Sequence, residues 1–280
     1  MRALNIAILS GKGGTGKTTV ATNLAEILQA NYIDCDVEEP NGYIFLKPEN
    51  IMNVAVEVEC PDINMEKCIL CGECTKTCQF NALFNTKKDI LVFEKMCHSC
   101  KACSIVCKTK AITFKPRKVG VIEKGEKQGL ICMRGVLDIG EAMAVPVIKK
   151  LLRHTPVGLN LLDCSPGTSC NAVSTLRHAQ GALLVTEPSA FGLHDLRMAI
   201  CLVRKFDLPF GVIINKWDEK NGEFLERYLD GEGIKILGYI PYKREAAEVY
   251  SRGEMVRTIP AYQQAFDRIA SSCGEVFQWN

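Results

Sequence analysis

This sequence lacks an excess of charge of either sign: 34 lysines and arginines against 32 aspartates and glutamates leave a formal +2. That balance supplies no global field to draw in nucleic acid or an anionic membrane, so any partner must be recognised locally. No apolar run approaches the roughly 18 residues that a membrane span requires. The opening MRALNIAILSGKGG has only a short apolar stretch that runs straight into glycines, unlike the hydrophobic region and cleavage site of a signal peptide. Together these absences predict a cytoplasmic protein with no stable membrane anchor and no nucleic-acid partner. Histidine is scarce, and His98, His154, His178 and His194 show no metal-ligand spacing among them. No serine or cysteine hydrolase arrangement is visible.

Cysteine is abundant, with 15 residues. A secreted disulfide scaffold uses that many in a short chain with little core, whereas 280 residues that are 47% hydrophobic can bury one sizeable core and a smaller satellite. Here the cysteines are clustered, so metal ligation in a reducing compartment is the better account. Cys68, Cys71, Cys74 and Cys78 recur as Cys97, Cys100, Cys103 and Cys107, each shifted by 29 positions, and Ala82 and Leu83 recur as Ala111 and Ile112. The repeat predicts a pseudo-twofold module over 59–116, inserted into a larger domain formed by 1–58 and 117–280. Val54, Val56 and Val58 alternate with polar neighbours within 51–60, and 117–124 reads as a second extended arm. The two arms are expected to form a stem.

Outside the module, short apolar runs alternate with helix-like segments: ALNIAIL, TTVATNLAEIL, NYIDCD, VGLNLLD, GALLVTE, a helical stretch near 193–205, PFGVIIN and IKILGYI. That rhythm predicts an α/β fold with a mostly parallel sheet covered on both faces. Near the C-terminus, Phe266, Ile269, Ala270 and Cys273 recur at helical spacing with Arg268 as the lone basic residue, which favours a packing helix over a membrane-surface one.

Residues 11–18, GKGGTGKT, satisfy GxxxxGK[ST] between an apolar strand and a helical pattern. Glycines let consecutive backbone N–H groups face a phosphate, and the following helix adds the positive end of its dipole. Gly11, Lys12, Gly13, Gly14, Thr15, Gly16, Lys17, Thr18 and Thr19 are therefore the candidate ATP cradle. Lys17 is expected at the β and γ phosphates and the Thr18 hydroxyl on Mg2+. Asp34 and Asp36 end one strand segment, Asp163 ends another before Pro166 and Gly167, and Asn215 ends a third. Ligands collect at such strand ends in parallel sheets.

The run SGKGGTGKTTVATNLA, with its second lysine at Lys12, closely resembles the deviant Walker A of the MinD, Mrp and nitrogenase-iron-protein ATPases. The resemblance implies that Lys12 reaches across a nucleotide-sandwich dimer, with a second copy or a paralogous ATPase, to the partner's phosphates. It implies that Asp36 orients the attacking water, that Asp34 lies near the magnesium and that Asp163 holds Mg2+ through a water. It further implies that Gly167 lets the backbone follow the γ phosphate and that Asn215 recognises the base.

CILCGECTKTC and CHSCKACSIVC both follow CxxCxxCxxxC, the bacterial ferredoxin spacing for [4Fe-4S] clusters. Structural zinc, the rival ligand, prefers two spaced pairs to a run of four. In the ferredoxin pattern the fourth cysteine crosses over, so one cluster is expected on Cys68, Cys71, Cys74 and Cys107 and the other on Cys97, Cys100, Cys103 and Cys78. Gln79 and Lys108 stand where such runs usually carry proline, and Lys101 and Lys108 are candidates to raise the potentials or to dock an acidic electron-transfer partner. Cys164 and Cys170 flank the turn through Pro166 and Gly167, which resembles the family's second switch, but the sequence lacks the C-terminal CxxC of a carrier's bridging site. They are read, like Cys35, Cys60, Cys132, Cys201 and Cys273, as small buried side chains.

The whole resembles MinD-superfamily ATPases with an inserted ferredoxin domain. Three functions follow from that resemblance. MgATP closes a dimer and gates electron transfer to or from a protein donor or acceptor; or ATP controls delivery of iron–sulfur clusters to an acceptor; or a MinD-like positioning ATPase carries redox-sensing clusters. An eight-cysteine framework predicts tightly held clusters, which favours the first. No basic tether supports the third.

Overall fold

The computed structural model describes residues 3–218 and 222–277. The chain opens with strand β1 (Ala3–Leu9), helix α1 (Lys17–Ile27), β2 (Asn31–Asp34) and the short α2 (Gly42–Leu46). A long strand β3 (Glu49–Ile63) leads out to α3 (Glu73–Thr77), the small strands β4 (Leu83–Asn85) and β5 (Ile90–Val92), and α4 (Ala102–Ile105). The chain returns along β6 (Ile112–Lys127) and turns into β7 (Leu130–Leu137). There follow α5 (Ala144–Leu152), β8 (Gly158–Asp163), α6 (Cys170–Leu176), β9 (Gly181–Thr186), α7 (Ala190–Arg204) and β10 (Phe210–Trp217). The last elements are α8 (Glu223–Gly231), β11 (Ile236–Pro241), α9 (Arg244–Ser251) and α10 (Pro260–Phe277).

Among the described residues the main sheet runs β11-β10-β9-β1-β8-β2-β7-β6-β3. From β11 to β7 every pairing is parallel, and β6 and β3 extend the β7 edge as antiparallel strands. The mostly parallel α/β fold read from the alternating segments is therefore the fold observed. β1 shows why its sequence is apolar apart from Asn5, whose side chain donates to the His178 carbonyl. Ile6 and Ile8 join α1 and α10 on one face, while Ala7 and Leu9 join α6 and α7 on the other. Each such fully buried aliphatic side chain contributes about 1.5–3 kcal/mol, which is why this central strand needs no polar face.

The two arms pair as one ribbon, with Val54 opposite Ile122 and Ile63 opposite Ile112. The ribbon is longer than the segments 51–60 and 117–124, because its outer part continues to Ile63 and Ile112, where Ile63, Ile112 and Phe114 pack with Leu83 and Ile90 in a small core of their own. At its root a third core packs Val56, Val119 and Ile122 against Met133 and the α5 residues Val147, Ile148 and Leu151. β7 escapes the list of apolar runs because Arg134 and Gly135 interrupt LICMRGVL, yet it pairs with β2 through Tyr32 and Cys132. Proline starts α10, a position where its missing N–H costs nothing. Phe266, Ile269, Ala270 and Cys273 bury their face in the first core. No helix among the described residues is long and apolar enough to cross a membrane.

Candidate functional site

The loop between β1 and α1 is shaped by left-handed glycines: Gly14 has φ +78° and Gly16 φ +92°. At Gly16 a Cβ would stand 2.2 Å from the Asn215 amide nitrogen, so both backbone and space demand glycine there. Asn215 Nδ2 donates to the Thr15 carbonyl at 2.7 Å, and Lys216 Nζ donates to the Gly14 carbonyl at 2.8 Å, so β10 holds the loop from one side. From the other, Gly167 N–H donates to the Ser10 carbonyl at 2.9 Å, with Gly167 itself at φ +81°. Lys17 opens α1 and is buried, as is Thr15, whose hydroxyl has no partner. Gly14, Gly16, Thr19 and Asn215 face a cavity of about 360 Å3 that Tyr242 and Tyr250 also line, room enough for a nucleoside.

The carboxylates meet at the ends of adjacent strands β2 and β8, where Asp34 pairs in register with Asp163. The Tyr32 hydroxyl lies 3.0 Å from Asp34 Oδ2 and 2.9 Å from Asp163 Oδ2. Burial pushes both carboxyls upward, and Asp163 adds to the rise at Asp34; the Tyr32 hydroxyl opposes the shift at both, as Lys17 does at Asp163. Both Asp34 oxygens are engaged, Oδ2 also by Gly42 N–H at 3.1 Å and Oδ1 by Asp36 N–H at 3.2 Å. Asp163 contacts the Thr18 hydroxyl and keeps a buried Oδ1 without a partner. Of the two, Asp163 has the oxygen that fits a hydrated divalent cation. Asp36 lies beside them, pushed up to about 6 by burial, with Lys17 pulling the other way and Asp163 adding to the rise.

Lys12 does not stand free. Its Nζ is 2.6 Å from Glu187 Oε1, and the second oxygen of Glu187 holds Lys216 at 3.1 Å. Asn215 lies two residues inside the end of β10, and its amide proton is committed to the loop as described.

The cysteine runs converge at the far end of the ribbon. One cavity is lined by Cys68, Cys71, Cys74 and Cys107, among aliphatic walls from Ile63, Leu70 and Ile90. The other is lined by Cys97, Cys100, Cys103 and Cys78, with Phe80, His98 and Phe114 around it. The rings of Phe80 and His98 stack at 3.7 Å. Each cavity thus gathers three cysteines of one run and the last of the other. Backbone N–H groups repeat across the two: Ala82 donates to Cys78 Sγ and Ala111 to Cys107 Sγ, both at 3.3 Å.

Among the described residues no three His, Cys, Asp or Glu side chains come together closely enough for a single metal ion. A tetrahedral zinc with Zn–S near 2.3 Å would draw its sulfurs to about 3.8 Å from one another. A four-iron cube binds each thiolate at a different corner and keeps them farther apart. The other cysteines divide: Cys35, Cys60, Cys132, Cys164 and Cys273 are buried, but Cys170 and Cys201 are exposed. Those two correct the expectation of buried side chains. Cys170 begins α6 at its solvent end, and Cys201 follows the inward pair Ala199 and Ile200 onto the outer face of α7.

The sequence description "CobQ/CobB/MinD/ParA nucleotide binding domain" matches residues 6–256. The chain belongs to that family. An uncharacterized protein of Methanocaldococcus jannaschii is 32% identical over 261 residues, covering 89% of this chain and 90% of that protein. An iron-sulfur cluster carrier protein of Pyrococcus abyssi is 25% identical over 270 residues, covering 89% and 77%. Among solved structures, the septum site-determining protein MinD of Pyrococcus horikoshii, complexed with Mg-ADP, superposes with a TM-score of 0.61 at 20% identity, covering 97% of this chain and 96% of that one. It shares the fold.

In this MinD/ParA-type nucleotide-binding domain, three residues at the site went unnoticed in the sequence. Tyr32 looked like an ordinary apolar strand residue, Glu187 like a turn acid in TEPS, and Lys216 like a surface charge. Position relative to the loop is their only signal. Had the ends of β2, β9 and β10 been placed within two strands of β1, all three would have been candidates.

Proposed function

We propose that this protein binds and hydrolyses MgATP and uses the nucleotide to switch a dimer that governs electron transfer through two [4Fe-4S] clusters. The observation that carries the reading is the crossed gathering of eight cysteines into two four-cysteine cavities on a ribbon that leaves the nucleotide-binding sheet. Residues 59–116 form the ferredoxin-like module in this reading, and 1–58 with 117–280 the ATPase. Cys68, Cys71, Cys74 and Cys107 hold one cluster and Cys97, Cys100, Cys103 and Cys78 the other; when bound, the clusters supply one-electron redox chemistry.

Backbone N–H groups from Gly11 to Thr19 cradle the phosphates, and Lys17 balances charge on the transferring group. Thr18 and Asp163 hold Mg2+, with Asp34 fixing the strand end beside them, and Asp36 aligns the water. Asn215 sets the wall of the base pocket. Lys12 acts on the phosphates of a second copy, or of a paralogous ATPase, once freed from Glu187. Phe191, 77% exposed in the first turn of α7 and four residues after Glu187, supports a face that meets such a partner.

A second reading, cluster delivery, is favoured by the name of the Pyrococcus abyssi relative. The deciding experiment is redox titration of the anaerobically purified protein by electron paramagnetic resonance, with and without MgATP. A nucleotide-dependent shift of about 60 mV, or tenfold for one electron, is expected for gated electron transfer. Unchanged potentials with transfer of iron and sulfide to an apo-acceptor would move the reading to delivery. A protein with no reducible [4Fe-4S] signal would rule out both.

A further inference from the structure

The two cysteine cavities differ in one buried cation. Arg117 lies in β6 opposite Val58, with its side chain 10% exposed and its partner Glu141 4% exposed. Both terminal nitrogens of the guanidinium are held by the Glu141 carboxylate, which also accepts the Ala142 and Met143 N–H groups at 3.1 Å before α5. The fork fixes the guanidinium plane, and its third edge, Nε–H, is buried with no acceptor. A buried donor left open is costly and rare. Two residues before it on β6, Lys115 pairs with Glu94 at 2.8 Å, three positions ahead of Cys97, and a Cβ at Gly140, next to Glu141, would stand 3.4 Å from Lys95 Nζ. Cys60, opposite Lys115 on the ribbon, is fully buried, and Cys60 and Cys97 both favour the charged form of the guanidinium.

The other cations near the two cavities are on exposed side chains: Lys101 is ion-paired with Glu59 beside the second, and Glu73, which Lys108 faces on the rim of the first, is paired with Lys76. The backbone donors to Cys78 and Cys107 repeat at equal length. What sets Arg117 apart is its burial and its open Nε–H donor.

We propose that Arg117 aims its free Nε–H at the Cys97 side of the second cavity and raises the reduction potential of the cluster there above that of its neighbour. The inference rests on the two-cluster reading. Reduction adds one negative charge to a cluster, and a fixed cation with an open N–H donor stabilises that form. The same geometry makes Arg117 the contact between that cluster and the loop preceding α5, since its other edge is bound to Glu141.

The test is potentiometric electron paramagnetic resonance of the full-length protein, with the second cluster's signal assigned by Cys100→Ala. Arg117→Met is expected to shift the second cluster about tenfold toward its oxidised form, a midpoint lower by about 59 mV, and to leave the first unchanged. Arg117→Lys should recover part of the shift, and Glu141→Gln, which removes the countercharge, should move the same midpoint upward. Equal shifts at both clusters, or none at either, would overturn the inference. Should Arg117→Met fail to assemble the second cluster, Glu141→Gln decides: an upward shift supports the inference and an unchanged midpoint overturns it. A wild-type protein without cubane signals overturns the module reading, and this inference with it.

Discussion

If Lys12 serves a partner's phosphates, Glu187 must first let it go, and the strength of that hold is readable. The Lys12–Glu187 contact is short at 2.6 Å, but the side chains are 34% and 18% exposed, and Glu187 is shared with Lys216 at 3.1 Å. Solvent screening therefore limits the release to about 0.5–1 kcal/mol per copy. A symmetric dimer releases two, for a total of about 1–2 kcal/mol, or about 5- to 30-fold in affinity. Glu187→Gln keeps the size and one acceptor oxygen and drops the charge. It should tighten ATP-dependent dimerisation by that factor, measured by analytical ultracentrifugation with a non-hydrolysable ATP analogue, while nucleotide affinity of the isolated protomer stays within about twofold, since exposed charges couple weakly. A dimer of unchanged or weaker affinity would refute the latch, because the substitution weakens the contact said to oppose assembly, while Lys216 keeps its bond to the Gly14 carbonyl.

Further outcomes follow from the same geometry. Cys107→Ser should disturb the cluster held with Cys68, Cys71 and Cys74 and spare that of Cys97, Cys100 and Cys103, as read by iron content and electron paramagnetic resonance; damage confined to Cys107's own run would break the crossed assignment. Gly16→Ala puts a Cβ at φ +92° and 2.2 Å from Asn215, so strain of about 1–2 kcal/mol should weaken ATP binding about tenfold or more by calorimetry. Burial alone would raise Glu141, but Arg117 and the Met143 N–H hold it below its ordinary value. Its stabilising contribution should be complete above that value and lost as pH falls through the folded pKa, so the unfolding difference between wild type and Glu141→Gln should shrink below about pH 4. Arg134→Met should leave ATP hydrolysis and the resting potentials in place while reducing the MgATP-dependent potential shift.

The nucleotide loop and the cysteine sets were legible because each is a local spacing whose chemistry requires consecutive residues. Parallel strands such as β1 and β9 were legible because burial on both faces leaves unbroken apolar runs. β7 was not, since Arg134 and Gly135 serve neighbours rather than the core: Arg134 pairs with Glu123 at 2.6 Å and lies over the Tyr43 ring at 4.4 Å. Tyr32 and Glu187 were hidden for a different reason. Their partners Asp163 and Lys12 are 131 and 175 positions away, a separation that no periodicity encodes. Exposure of Cys201 was equally invisible, because it depends on which side of α7 meets the sheet.

The order of the chain gives the proposed switch a physical route to the module. After Asp36 the backbone does not cross the sheet; it runs through Pro40 and α2 directly into β3. Leu137 N–H donates to the Val37 carbonyl at 2.8 Å, tying the end of β7 to the segment after Asp36. Tyr43 donates to the Cys132 carbonyl at 2.7 Å, and Arg134 bridges Glu123 on β6 and, at 3.4 Å, the Pro40 carbonyl. The segment from Asp34 to Tyr43 is therefore fastened to β7 and, through Arg134, to β6 at the root of the ribbon. A displacement of Asp36 on meeting a nucleotide has to be absorbed either by breaking these hydrogen bonds or by moving β6 and β7 with it. Each bond contributes about 0.5–1.5 kcal/mol, so breaking all of them would cost more than a small shift of an edge ribbon whose outermost strand is exposed from Glu49 to Ala55. Movement at the ribbon is the lower-energy response, and the cysteine cavities are at its end.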